Sequence, residues 1–172
     1  MDAGNAAEQG REPNATTGER TSDRELVVTR MVDGPARLVY RAWTTPELLK
    51  RWWAPTSFGV EFVSCENDVR TGGSYRFVFS HPASPEPMAF FGRYLEVVPN
   101  AKLVWTNEES PDGAVTTVTF EERDGRTLVV VHELYASKDA LDHAIASGST
   151  GGVMFDQLDE LLATLAAEGV RD

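Results

Sequence analysis

The 172-residue sequence holds a single cysteine, Cys65. That excludes an internal disulfide framework and a cysteine-rich zinc site. No apolar run approaches the roughly 20 residues that a membrane-spanning helix needs. The N-terminus also lacks the apolar stretch of a secretory signal. Basic clusters are missing too. Lys and Arg number 16 against 27 Asp and Glu, a net charge of −11, and Lys50-Arg51 are the only adjacent cations. A nucleic-acid surface needs clustered Lys and Arg to neutralise phosphates. Nucleic acid and anionic lipid surfaces are therefore not expected partners, and the excess acid reads as solubility. Together these absences point to the cytoplasm.

Residues 1–24 contain no Val, Ile, Leu, Phe, Trp or Tyr. Such a segment cannot bury enough surface to offset its ordering entropy, so it reads as a disordered N-terminal tail. Its Asn14-Ala15-Thr16 sequon carries no weight without a signal peptide. The remainder, 25–168, reads as one domain. With 41% hydrophobic, 25% charged and 9% aromatic residues, the chain has ordinary globular composition. A chain of this length buries about 70% of its unfolded surface.

Periodicity supplies the elements. Leu26–Val32 reads as a strand, and Asp33-Gly34-Pro35 turns the chain. Leu38, Val39, Ala42 and Trp43 form a helical stripe behind Pro35. Thr45-Pro46 starts a second short helix, in which Leu48/Trp52 and Leu49/Trp53 lie four apart. Strands follow near 59–66, 73–80, 88–98, 102–108, 114–122 and 126–135. They are punctuated by Thr71-Gly72-Gly73, a proline cluster at 82, 85 and 87, Pro99-Asn100, Pro111-Asp112-Gly113 and Asp124-Gly125. Links this short suit antiparallel neighbours. A short helix is predicted near 138–146. A longer one carries the stripe Phe155, Leu158, Leu161, Leu162, Leu165 and stops at Glu168-Gly169. The order predicts an α+β fold: a curved antiparallel sheet of about seven strands wrapped on a long C-terminal helix, with two short helices after the first strand.

Four stretches resemble a known family. They are Ala42-Trp43-Thr44-Thr45-Pro46-Glu47-Leu48-Leu49-Lys50-Arg51-Trp52-Trp53, Asp68-Val69-Arg70-Thr71-Gly72-Gly73-Ser74-Tyr75-Arg76-Phe77, Gly92–Pro99 with Leu103-Val104-Trp105-Thr106, and Phe155–Leu162. In this order they resemble the START-like, helix-grip superfamily. Within it they resemble bacterial homologues of the C-terminal domain of the heat-shock-protein-90 ATPase activator. The resemblance covers about residues 25–167. One departure is that many relatives open the last helix with Gly-Trp, where this chain has Val153-Met154. The resemblance implies a cavity between sheet and last helix that takes an apolar or amphipathic small molecule. It implies no common catalytic set, and fold alone assigns no chemistry.

The ligand-facing candidates are Phe77, Phe79, Phe90, Tyr94, Trp105 and Phe120, opposite Met154, Phe155 and Leu158. Pockets are mostly apolar with a few orienting polar groups. Trp43, Trp52 and Trp53 read as structural. The alternation Leu128/Val130/His132 points His132 toward the cavity, and Tyr94/Glu96/Val98 places Glu96 there. His132, Glu96 and Tyr94 are thus the candidates for acid–base work of a cyclase, dehydratase or hydrolase. They are weighed against a buried His with a partner and a surface salt bridge for Glu96. Arg70 reads as fixing the start of its strand. His132-Glu133 lacks the second histidine of a zinc helix, since Ala136 stands there, and no metal or cofactor is expected. Gly148–Gly152 lacks a phosphate-loop lysine and reads as a hinge at the cavity mouth. Cys65 reads as a small buried residue. Ligand binding is the expected function, with catalysis in the same cavity or a chaperone-activating protein contact as alternatives. A homodimer is compatible with each.

Overall fold

The computed structural model describes residues 17–53, 60–83, 85–108, 113–147 and 155–168. The strands are β1 (Thr17–Arg20), β2 (Glu25–Val32), β3 (Glu61–Asn67), β4 (Ser74–Ser80), β5 (Met88–Val98), β6 (Lys102–Thr106), β7 (Val115–Arg123) and β8 (Arg126–Leu134). The helices are α1 (Ala36–Thr44), α2 (Pro46–Trp52), α3 (Lys138–Ser147) and α4 (Phe155–Ala167). All strand pairs are antiparallel, in the order β1-β2-β8-β7-β6-β5-β4-β3. Among the described residues no helix is long and apolar enough to cross a membrane.

The α+β expectation holds, with one strand more than expected. Residues 17–20, assigned from composition to the tail, pair with β2 from Thr17↔Thr29 to Arg20↔Leu26. Every residue of β1 is exposed. It is held by its main chain, which needs no apolar side chains, so composition could not reveal it. Arg20 adds an ion pair to Asp142 of α3 at 2.7 Å. Residues 1–16 lie outside the described residues, as do Met154 and the Gly148–Gly152 segment.

Short local devices shape the rest. Asp124 and Gly125 both take positive φ, 56° and 82°. These are the conformations of a two-residue hairpin turn between β7 and β8. Pro35 offers no side-chain cap to α1. Instead the Glu122 carboxylate of β7 accepts from the Ala36 amide at 2.9 Å, placing negative charge at the helix N-terminus. Pro46 opens α2, as the sequence suggests, while the Thr45 side chain makes no capping bond.

The concave sheet face and the helices share one core. Val28, Val32, Val118, Phe120, Val129 and Val131 meet Leu38, Val39, Trp43, Leu49 and Trp52 on one side and Leu158, Leu161, Leu162 and Leu165 on the other. The helix α4 packs on α2, α1 and β2. Two polar links fix it there. Gln157 donates to the Trp52 carbonyl at 2.8 Å. Arg30, on the concave face of β2 and 8% exposed, reaches Asp159 at 2.6 Å and Asp156 at 3.0 Å. Its guanidinium also lies 5.6 Å from the Phe155 ring centre. Burial pushes the Asp159 carboxyl above the ordinary carboxylate range, against the opposing pull of Arg30.

Arg30 is thus the counter-charge that makes a half-buried Asp159 tolerable. Replacing Arg30 by Met is expected to cost about 3 kcal/mol in urea denaturation, because the carboxylate is left without its partner. Asp156, 90% exposed in its side chain, is expected to change stability by less than about 0.5 kcal/mol when replaced by Ala.

Candidate functional site

The concave face changes character along the sheet. Over β2, β8 and β7 it is largely aliphatic. Over β3 to β6 it is aromatic. Strand register places Phe62, Cys65 and Asn67 of β3 opposite Phe79, Phe77 and Tyr75 of β4, and Phe90 and Gly92 of β5 opposite Phe77 and Tyr75. Tyr94 faces Trp105. Directly opposed residues share a face, so all of these side chains line the concavity.

Their rings are in contact. Phe90 meets Phe79 at 5.4 Å between centres, Phe79 meets Phe62 at 4.5 Å, and Phe62 meets Phe77 at 5.4 Å. Five rings then close a circuit. Phe77 to Tyr75 is 5.0 Å, Tyr75 to Trp105 6.5 Å, Trp105 to Trp43 6.3 Å, Trp43 to Trp53 5.5 Å and Trp53 to Phe77 6.2 Å. Mostly edge-on and tilted arrangements of this kind suit the ring quadrupoles. Phe120 adjoins the circuit at Trp43, 5.7 Å away. Trp53 and Trp105 are half-buried, and Phe90 and Met88 are 40% and 44% exposed. Apolar surface therefore remains open to solvent at this end.

Polar groups brace the aromatic wall. Asn67 donates to the Thr44 carbonyl at the end of α1 (3.2 Å) and accepts from the Tyr94 hydroxyl at 2.6 Å. Burial raises the Tyr94 phenol well above its ordinary pKa. The Trp52 indole N–H donates to the Ala42 carbonyl at 2.9 Å, joining the two short helices. Tyr75 lies across Gly92 and donates to the Thr106 carbonyl of β6 at 2.7 Å. A Cβ at Gly92 would stand 2.0 Å from that carbonyl oxygen. Glycine is thus required there for close approach.

Of the residues expected to face the ligand, Phe77, Phe79, Phe90, Tyr94, Trp105 and Phe120 lie on the concave face. Phe155 and Leu158 are buried on α4, toward the β2 side, and Met154 falls outside the described residues. His132 does not face the cavity. It pairs with Val27 and Thr117 on the convex face, and its Nε2 is 2.8 Å from a Glu25 carboxylate oxygen. The concave residues of β8 are Thr127, Val129, Val131 and Glu133. The run Leu128-Val129-Val130-Val131 is apolar on both faces, so alternation alone could not choose the phase.

Glu96 is also convex. A bulge between Tyr94 and Glu96 shifts the register, leaving Val97 inward and Glu96 opposite Val104. Its carboxylate pairs with Lys102 at 3.0 Å. The Val97 amide at the bulge donates to the Thr71 hydroxyl at 3.0 Å, a side chain from the β3–β4 turn. One inserted residue reverses every later side chain. His132, Glu96 and Tyr94 therefore do not converge, and the acid–base set proposed from alternation is not assembled.

Several contributors were not assigned to the site from sequence. Phe62 and Tyr75 follow from register with strands already identified. Trp43 and Trp53, read as structural, join the aromatic circuit directly. Glu133 is a half-buried concave carboxylate that accepts from the Tyr135 hydroxyl at 2.9 Å. Arg70 pairs with Asp68 at 2.9 Å in the turn before β4. Among the described residues no group of three or more His, Cys, Asp and Glu is placed to hold a metal.

A curved antiparallel sheet, closed by a C-terminal helix and two short helices after the first long strands, defines a helix-grip domain of START-like type. Residues 33–163 match the family described as Activator of Hsp90 ATPase homolog 1-like protein, and the chain belongs to that family. The fold is similar to that of a Rhodobacter sphaeroides protein at TM-score 0.79 and 22% identity, covering 88% of this chain and 99% of that one. A Mycobacterium smegmatis protein gives 0.73 and 23%, with 87% and 99% covered. An AHSA1-like protein from Aeromonas hydrophila gives 0.63 and 19%, with 84% and 94% covered. No curated protein sequence matches the chain.

Two outcomes test this geometry. Gly92→Ala is expected to lose about 3 kcal/mol by overpacking, against about 1 kcal/mol for Tyr75→Phe, which removes one hydrogen bond. Urea titration of both variants checks the ranking. Burial pushes the Cys65 thiol up to about 11. The smaller thiolate fraction, partly offset by the greater nucleophilicity of a high-pKa thiolate, predicts iodoacetamide labelling near pH 8 roughly tenfold slower in the native protein than in denaturant.

Proposed function

We propose that the protein binds an apolar or amphipathic small molecule against the aromatic half of the concave face. Domains of this fold commonly bind hydrophobic ligands. The observation that carries the reading is the continuous run of rings from Phe90 to Trp43. A core intended solely for packing has no need of apolar side chains open to water at one end of such a run. The helix α4 packs on α2, α1 and β2, so the aliphatic half takes the closest covering. Binding rather than turnover is favoured because the inward tyrosine hydroxyls already serve the scaffold: Tyr94 is bonded to Asn67, and Tyr75 to Thr106. A cytoplasmic setting belongs to the same reading, in keeping with an unpaired Cys65.

Native mass spectrometry of the purified protein, followed by titration with 8-anilinonaphthalene-1-sulfonate, tests this. One saturable site on the folded protein is expected. Phe90→Asp should weaken it roughly tenfold with little change in stability. Absence of any saturable site, with no non-covalent adduct mass, overturns the reading.

A further inference from the structure

Among the buried donors around the aromatic circuit, one differs from the rest. The Trp52 indole, the Tyr75 hydroxyl and the Tyr94 hydroxyl each have a protein acceptor. Trp43 is 3% exposed, and its Nε1 is buried with no hydrogen-bond partner among the described residues. An indole N–H can donate and cannot accept. Burying it unpaired is costly, and native structures keep few such groups without a reason. Its position is informative. Trp43 lies between α2 and the sheet, ringed by Trp52, Trp53, Trp105 and Phe120 at 5.0 to 6.3 Å. Two of those neighbours, Trp53 and Trp105, are half-buried, so the ring cluster around Trp43 extends to the protein surface.

Ligand pockets typically combine apolar walls with a few polar groups that fix orientation. From this we propose that the Trp43 indole N–H is the polar anchor of the ligand site. It donates to a carbonyl oxygen on a flat, otherwise apolar molecule seated among the rings. The inference rests on the binding reading above and adds the chemical class of ligand. A wholly apolar compound would leave the donor unpaired. A compound with an oxygen acceptor in the right place satisfies it while keeping the ring contacts.

The test uses two probes of matched shape, 2-acetylnaphthalene, which carries the carbonyl, and 2-ethylnaphthalene, which lacks it. Both are titrated by calorimetry into the full chain, and the indole region of a proton–nitrogen correlation spectrum is followed. Four indole signals are expected from four tryptophans, with Trp43 assigned by its loss in Trp43→Phe. The carbonyl probe should bind roughly tenfold more tightly, the size expected for one buried hydrogen bond. It should move the Trp43 N–H proton downfield more than the other three. In Trp43→Phe the preference should fall to near unity. If that variant does not fold, the signal is assigned from its proximity to the Phe120 ring, and the shift in the unaltered protein decides. Equal binding of the two probes with a stationary Trp43 signal overturns the anchor while leaving apolar binding intact. If neither probe saturates a site, the binding reading and the anchor fall together.

Discussion

Covering the concave face of the sheet is the constraint on which the rest of the structure depends. Eight antiparallel strands curl so that one face turns inward, and the apolar residues there must be removed from water. A 13-residue helix cannot span such a face. The chain divides the task. The helix α4 packs toward β2, held by its leucine stripe and by the Arg30–Asp159 pair. The helices α1 and α2 lay tryptophans beside the aromatic strands. The two covers meet at Trp52, whose carbonyl accepts from Gln157 and whose indole donates to α1.

Ring contacts are weakly directional and cannot by themselves hold one arrangement. Specific polar links do that. Asn67 joins the end of α1 to Tyr94. Tyr75 crosses Gly92 to reach β6, and Glu122 caps α1 from β7. Each joins two elements far apart in sequence and ties the aromatic wall to its neighbours through paired polar atoms. Trp43 stands out against this background because the buried donors of Trp52, Tyr75 and Tyr94 each have an acceptor, and its own buried N–H has none among the described residues.

Much of the fold was legible. Turn chemistry at Asp124-Gly125, the stripe from Phe155 to Leu165, and the Pro35 and Pro46 helix starts all correspond to observed elements. Local chemistry encodes these features, because a residue's backbone preference acts over its own few neighbours. The aromatic strand residues could also be read, since Tyr75, Phe77 and Phe79 alternate with polar partners. Sidedness was harder. In β8 the apolar run gives both faces equal claim, and His132 fell on the convex side. In β5 a single bulge between Tyr94 and Glu96 reversed the phase and carried Glu96 outward to Lys102. In β1 no apolar signal existed, because main-chain pairing and polar side chains form the strand.

The sequence by itself determined the class of fold, the order of its elements and the presence of a large aromatic population, because propensity, periodicity and turn residues are local properties. Tertiary structure alone decided which face each strand presents, which rings touch, and which donor is left unpaired. Those depend on register between strands distant in the chain. A slip or bulge of one residue exchanges the two faces of a strand without altering any local preference.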